Sequence, residues 1–187
     1  MILQCHYYNA HAQVGNKNTA WAGAQTLWLS GQSRPDACNP LFASWKQAGK
    51  LSQALIFDRM VLAFKAGKPD LMAYLQKSLS GQYQADGALL ISTYKNPNQL
   101  LKHGLYQAIN ARHSAIVTAG LDKLVPISVA SALQAYPHYQ RQFNLTDAQR
   151  KPLELKMIQH VMFRDLSGQL GWADKQLAYW QDATVIE

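Results

Sequence analysis

The sequence predicts an all-α fold, a superhelical array of short antiparallel helix pairs, on three observations. Gly15, Gly31, Gly49 and Gly67 lie 16, 18 and 18 residues apart, and glycine is the residue best suited to the left-handed turn that ends a helix. The stretch before each of them carries apolar residues at helical spacing. No segment alternates apolar and polar residues between hairpin turns, so no sheet is expected. A helix of about twelve residues with a short turn fills each interval. Two such helices make a hairpin of roughly 34 residues, the period of tetratricopeptide-like arrays.

The first helix is expected over 2–14, with Leu3, Tyr7 and Ala10 on one stripe before Gly15. The second follows an Asn18 or Thr19 cap and carries Trp21, Ala24, Leu27 and Trp28 to Gly31. Residues 32–39 read as a loop. Asn39-Pro40 then sets a cap before proline at the first helical position, opening a short helix with Leu41, Phe42 and Trp45. Ser52 caps a helix through Leu55, Ile56, Arg59, Met60 and Ala63 to Gly67, and Pro69 starts another through Leu71, Met72 and Leu75. Beyond Gly81 the rhythm loosens, with helices expected over 83–94, 97–103, 106–121, 126–136, 147–163 and 173–183. In the helix at 154–163, Leu155, Ile158 and Met162 are expected on the apolar face, with Lys156 and Gln159 off it. No linker rich in Gly, Ser or Pro interrupts the chain, so 1–187 is expected to form a single domain.

Hydrophobic residues make up 48% of the 187 residues and charged residues 16%, the balance of an ordered globular chain rather than a disordered one. Lys and Arg number 18 against 11 acidic residues, a net charge of +7 that favours anionic partners. The positive residues are dispersed, with no run denser than 65–68 or Arg150-Lys151. They read as a solvated basic surface, and nucleic acid is not an expected partner. The apolar runs fall far short of the ~20 residues of a membrane span. Residues 1–5 carry no basic region of a secretory signal, which leaves a cytoplasmic chain or an export signal further upstream.

Cys5 and Cys38 are 33 residues apart, about one helix-pair repeat. Equivalent positions in successive repeats are too far apart for a bond, although the irregular loop at 32–39 can supply the approach. Two unrelated buried thiols remain an equal alternative. A metal is not expected, because Cys5 and His6 are adjacent on a helix and point apart.

Chemistry of the chain's own is not apparent. Glycoside cleavage commonly needs two placed carboxylic acids, and the sequence holds two glutamates. Glu187 is terminal and expected to be solvated. Glu154, beside Pro152, reads as a first-turn residue that complements the helix dipole, as do Asp70, Asp147 and Asp174. His6 and His11 are five apart and share no helical face, and His103, His113, His138 and His160 lack a Cys or carboxylate at productive spacing. Nucleophile-elbow, Walker and dinucleotide-binding motifs are absent. No catalytic residue and no cofactor are expected. Trp21, Trp28 and Trp45 are candidates for stacking on sugar rings, but the seven-residue spacing of the first two is that of a core stripe.

Several blocks nevertheless resemble a known family. Leu3-Gln-Cys-His-Tyr-Tyr-Asn-Ala10, Ala20-Trp-Ala-Gly-Ala-Gln-Thr-Leu-Trp-Leu-Ser-Gly31 and Ser33-Arg-Pro-Asp-Ala-Cys-Asn-Pro-Leu-Phe42 are similar to the helical N-terminal region of the soluble lytic murein transglycosylases. Arg59, Leu62-Ala63 and Lys65-Ala-Gly67 continue the likeness. It is close over about 3–97 and weaker afterwards, where Leu145-Thr-Asp147 and Ala173-Asp-Lys-Gln176 still fit.

The resemblance implies a ring or horseshoe of short helices, a periplasmic location and a disulfide between Cys5 and Cys38. It also implies a separate C-terminal domain that cleaves the MurNAc–GlcNAc bond of peptidoglycan to give a 1,6-anhydro sugar. That domain's Glu-Ser and Gly-Leu-Met-Gln motifs do not occur in this sequence. The expectation is therefore a noncatalytic superhelical piece of a longer enzyme, meeting peptidoglycan glycan strands through that enzyme. A helical-repeat adaptor for protein segments, unrelated to cell wall, is the alternative.

Overall fold

Helices account for every regular element in the computed structural model, which describes residues 1–164 and 167–184; among them there is no strand. This is the all-α class expected. The chain divides into two compact units, Met1–Ile91 and Ser92–Glu187. Glu187 itself lies outside the described residues.

The first unit begins with α1 (Ile2–Gln13) and α2 (Lys17–Trp28), which pack on each other, and α3 (Asn39–Gln47) contacts both. Next come α4 (Gln53–Lys65), which packs on α5 (Pro69–Gln76), and the start of α6 (Gly81–Lys95). Gly15, Gly49 and Gly67 have φ of 83°, 69° and 67°, the left-handed turn expected at a helix end. The amides that follow reach back to close each turn, Asn16 to the His11 carbonyl at 2.9 Å, Lys50 to Trp45 at 3.2 Å and Lys68 to Ala63 at 2.9 Å.

Gly31 serves a different purpose. It is not left-handed; a Cβ there would stand 2.3 Å from the Leu62 carbonyl oxygen and 2.7 Å from the Ala66 Cβ. It is a contact glycine that lets the chain after α2 lie against α4.

The stripe expected on α1 does not face the core. Leu3 is 82% exposed and Tyr7 is also exposed, whereas Cys5 is fully buried. Contact with α2 runs through the half-buried Tyr8, whose ring covers Gly23 so closely that a Cβ would meet it at 2.3 Å.

The second unit opens with the end of α6 and continues in two 3₁₀ segments, Pro97–Leu101 and His103–Tyr106, where helix was expected over 97–103. Then follow α7 (Ala111–Ile127), α8 (Val129–Phe143), α9 (Asp147–Phe163) and α10 (Leu170–Thr184). α7 carries the most buried face, packing on α8, α9 and the first 3₁₀ segment. It begins at the Asn110 cap, whose side chain accepts the His113 amide at 2.9 Å, not at Tyr106.

Prolines misled the boundaries here. Pro126 sits in the last turn of α7, and Ser128 caps α8 by accepting the Ser131 amide at 3.2 Å. α8 runs on through Pro137 to Asn144, whose φ of 45° makes the turn usually given to glycine. In α9 the buried face is Leu153, Glu154, Met157, Ile158 and Val161. Leu155 and Met162, expected inside, are exposed, Met162 by 63%.

Candidate functional site

α4 buries one face made of Ile56, Phe57, Met60, Ala63 and Phe64, and Arg59 falls within that face. Its start is fixed by Ser52, whose hydroxyl oxygen accepts the Leu55 amide at 3.2 Å. Arg59 is therefore carried inward by helical register, and only 4% of it is exposed. Its Nη2 donates to the Gln32 carbonyl at 3.2 Å, and the guanidinium carbon lies 4.3 Å from the Trp28 ring centroid and 5.9 Å from that of Phe42. Trp28 is itself held, its indole nitrogen donating to the Leu55 carbonyl at 3.0 Å and its ring meeting Phe42 edge-on at 5.2 Å.

What Arg59 lacks is a counter-charge. Among the described residues no carboxylate comes within ion-pair distance of it, and its buried Nε has no hydrogen-bond partner. Desolvation, followed by the nearby Arg34 charge, pushes its pKa down to about 10. Arg34 is anchored by donating Nε to the Leu27 carbonyl at 2.6 Å. Both arginines line a cleft of about 590 Å³ together with Trp28, Phe42, Leu71 and Tyr74. Exposed Asp36 and Asp70 and the cation Lys46 also border it. Chemically the cleft sets cations and aromatic rings beside two bordering carboxylates.

The tryptophans singled out by sequence separate in fate. Trp28 and Trp45 are buried and 6.0 Å apart, centroid to centroid. Trp21 is half-buried beside a shallower depression of about 320 Å³ that it shares with Lys17 and Gln47. Cys5 and Cys38 are joined in a buried disulfide with Cα atoms 4.7 Å apart. The short 3₁₀ turn Asp36–Cys38 in the irregular loop delivers Cys38 to α1.

Glu154 requires a correction. It lies in the second turn of α9, not the first, and is 1% exposed. One carboxylate oxygen accepts from the Tyr136 hydroxyl and from Arg150 Nε at 3.1 Å; the other accepts from Trp180 Nε1 at 2.9 Å. Burial and the adjoining carboxylate hold the Tyr136 phenol well above its usual pKa. Among the described residues every partner of Glu154 is a donor and no second carboxylate joins it, so this is a packing network rather than an acid–base pair. The Arg150–Glu154 spacing of four was the available signal. Asp70 and Asp147 do occupy first turns, as expected.

His103 and His138 stack at 3.9 Å with ring planes 6° apart, a pairing between residues 35 apart that periodicity does not reveal. Among the described residues no three His, Cys, Asp or Glu side chains gather to hold a metal ion.

A family model described as Cucumovirus coat protein matches residues 10–87, less than half of the chain. A wider likeness covers 98% of it. Over 185 residues the chain is 28% identical to the soluble lytic murein transglycosylase of Escherichia coli K12 and 27% identical to that of Salmonella typhimurium. The chain spans 29% of the length of these curated relatives.

Solved structures agree. An inactive mutant of the lytic transglycosylase Slt from Pseudomonas aeruginosa superposes with a TM-score of 0.78 at 26% identity, over 86% of this chain and 26% of that one. The 70 kDa soluble lytic transglycosylase of Escherichia coli gives 0.75 at 27%, over 94% and 29%. Its complex with bulgecin A gives 0.76 at 28%. Over nearly its whole length, the chain resembles one part of the soluble lytic murein transglycosylases.

Proposed function

We propose that the chain is a noncatalytic superhelical scaffold domain of a periplasmic soluble lytic murein transglycosylase. The parent enzyme would cleave the β-1,4 MurNAc–GlcNAc bond and release 1,6-anhydromuramoyl products. This piece, acting as one scaffold over 1–187, would hold glycan strands or partners in place for a catalytic domain outside this chain. The observation that carries the reading is the likeness over 98% of this chain but 29% of each curated relative. The chemistry of the described residues supports it: the one buried glutamate accepts from three donors, and the cleft offers cations and aromatic rings rather than a nucleophile with its base.

Incubating the purified chain with murein sacculi tests the reading in one experiment. The chain is expected to co-sediment with the sacculi and to release no anhydro-sugar products. Release of those products by the chain alone would overturn the noncatalytic role. A stoichiometric protein partner with no retention on sacculi would favour an adaptor instead.

A further inference from the structure

We propose that the Arg59 cleft is a subsite for a free carboxylate carried on a short peptide, the chemistry of a murein stem peptide. The proposal deepens the scaffold reading and rests on it for the source of that peptide.

Buried arginines are normally paired, because an uncompensated charge taken from water is expensive. Arg59 is 4% exposed, lines a cleft, has no carboxylate at ion-pair distance among the described residues and leaves its Nε without a partner. Its packing on Trp28 and its bond to the Gln32 carbonyl orient the guanidinium without neutralising it. Arg34 adds a second positive charge to the same wall. A planar guanidinium matches a carboxylate in shape as well as charge.

The remainder of the cleft narrows the choice of ligand. Phe42, Leu71 and Tyr74 supply apolar surface for a peptide's side chains, and Tyr74 is 66% exposed at the mouth. Asp36 and Asp70 border the cleft and oppose a dianion such as phosphate, while they suit a peptide's amide hydrogens or ammonium. The volume of about 590 Å³ falls inside the roughly 300–1,000 Å³ typical of ligand sites. A monoanion with donors beside it satisfies both sets of charges.

The test titrates the full chain with N-acetylated Lys-Ala-Ala and with its C-terminal amide, following the tryptophan indole N–H signals by NMR. The free acid should perturb the Trp28 signal and bind at least about tenfold more tightly than the amide, the scale of one charge-assisted contact. Arg59→Met and Arg34→Gln should each weaken the acid by about tenfold and leave the amide unaffected. Arg34→Gln lies outside the buried face of α4 and serves if Arg59→Met fails to fold. Equal affinity for acid and amide, no response up to millimolar peptide, or full affinity in folded Arg59→Met and Arg34→Gln chains overturns the proposal.

A second arm separates sources. Retention on intact sacculi should fall in Arg34→Gln, and retention on sacculi stripped of stem peptides should not. Peptide binding without any retention on murein supports the carboxylate site and counts against the scaffold reading. Retention on murein without any peptide response does the reverse.

Discussion

Two buried charged side chains of opposite sign mark the difference between a residue that holds the fold and one that does not. Glu154 accepts from three donors on α8, α9 and α10, so its removal would take an acceptor from Arg150, Tyr136 and Trp180 together. Breaking such a site costs about 3–5 kcal/mol when a charge is left uncompensated. Arg150 retains Asp147 at 3.2 Å, so Glu154→Ala is expected to lower stability by about 3 kcal/mol, read from urea unfolding. Arg59 predicts the opposite. With no carboxylate to strand, Arg59→Met should leave stability unchanged or raise it by about 1 kcal/mol. A loss above about 3 kcal/mol, the cost of stranding a paired charge, would mean that Arg59 is structural after all. The sequence showed Arg59 only as one member of an apolar stripe, since nothing in spacing reveals that a register position will lack its counter-ion. Glu154 misled because Pro152 suggests a first turn beside it, although the helix does begin at Asp147 as expected, capped by Thr146 and Gln149.

At the scale of the element, the glycine rhythm was legible because its cause is local. A left-handed residue two positions past a helix end is demanded by backbone geometry, and Gly15, Gly49 and Gly67 meet it. Gly31 kept the same interval for a tertiary reason, close approach to α4, which sequence cannot distinguish. Prolines at 126 and 137 suggest boundaries yet lie inside helices, whereas the helix expected over 147–163 does contain Pro152. Packing by long buried faces, as on α7, outweighed the lost backbone bond. The outward stripe of α1 has a related explanation: its anchoring falls to Cys5 and Tyr8, not to apolar periodicity. If the disulfide is what ties α1 to the loop before α3, replacing Cys38 by Ser should lower stability by about 3–4 kcal/mol, from the entropy of the closed loop. The urea midpoint of the unreduced wild-type chain should then fall to that of the variant on adding reductant, and a midpoint indifferent to reductant would refute the claim.

For the molecule as a whole, the charge balance decides how it meets acid. It carries +7 with its six histidines counted as neutral, so self-repulsion grows as acid adds positive charge. One histidine adds a specific term. His103 has its pKa lowered from 6.5 by burial and then by His138 stacked on it, so the folded chain binds fewer protons than the unfolded one. The sign follows directly: the stability this group provides is complete above pH 6.5 and is lost as pH falls from there through its lower folded value. Thermal midpoints should hold above about pH 7 and decline as pH falls below 6.5. His103→Gln should flatten that decline, because it removes the proton-binding difference while keeping a polar side chain of similar reach. Added salt should relieve the general repulsion and lift both chains alike, since screening acts on exposed charges. The remaining gap between wild type and His103→Gln belongs to the stacked pair. If the two chains decline identically at every salt concentration, the acid response comes from net charge alone and the His103–His138 stack has no part in it.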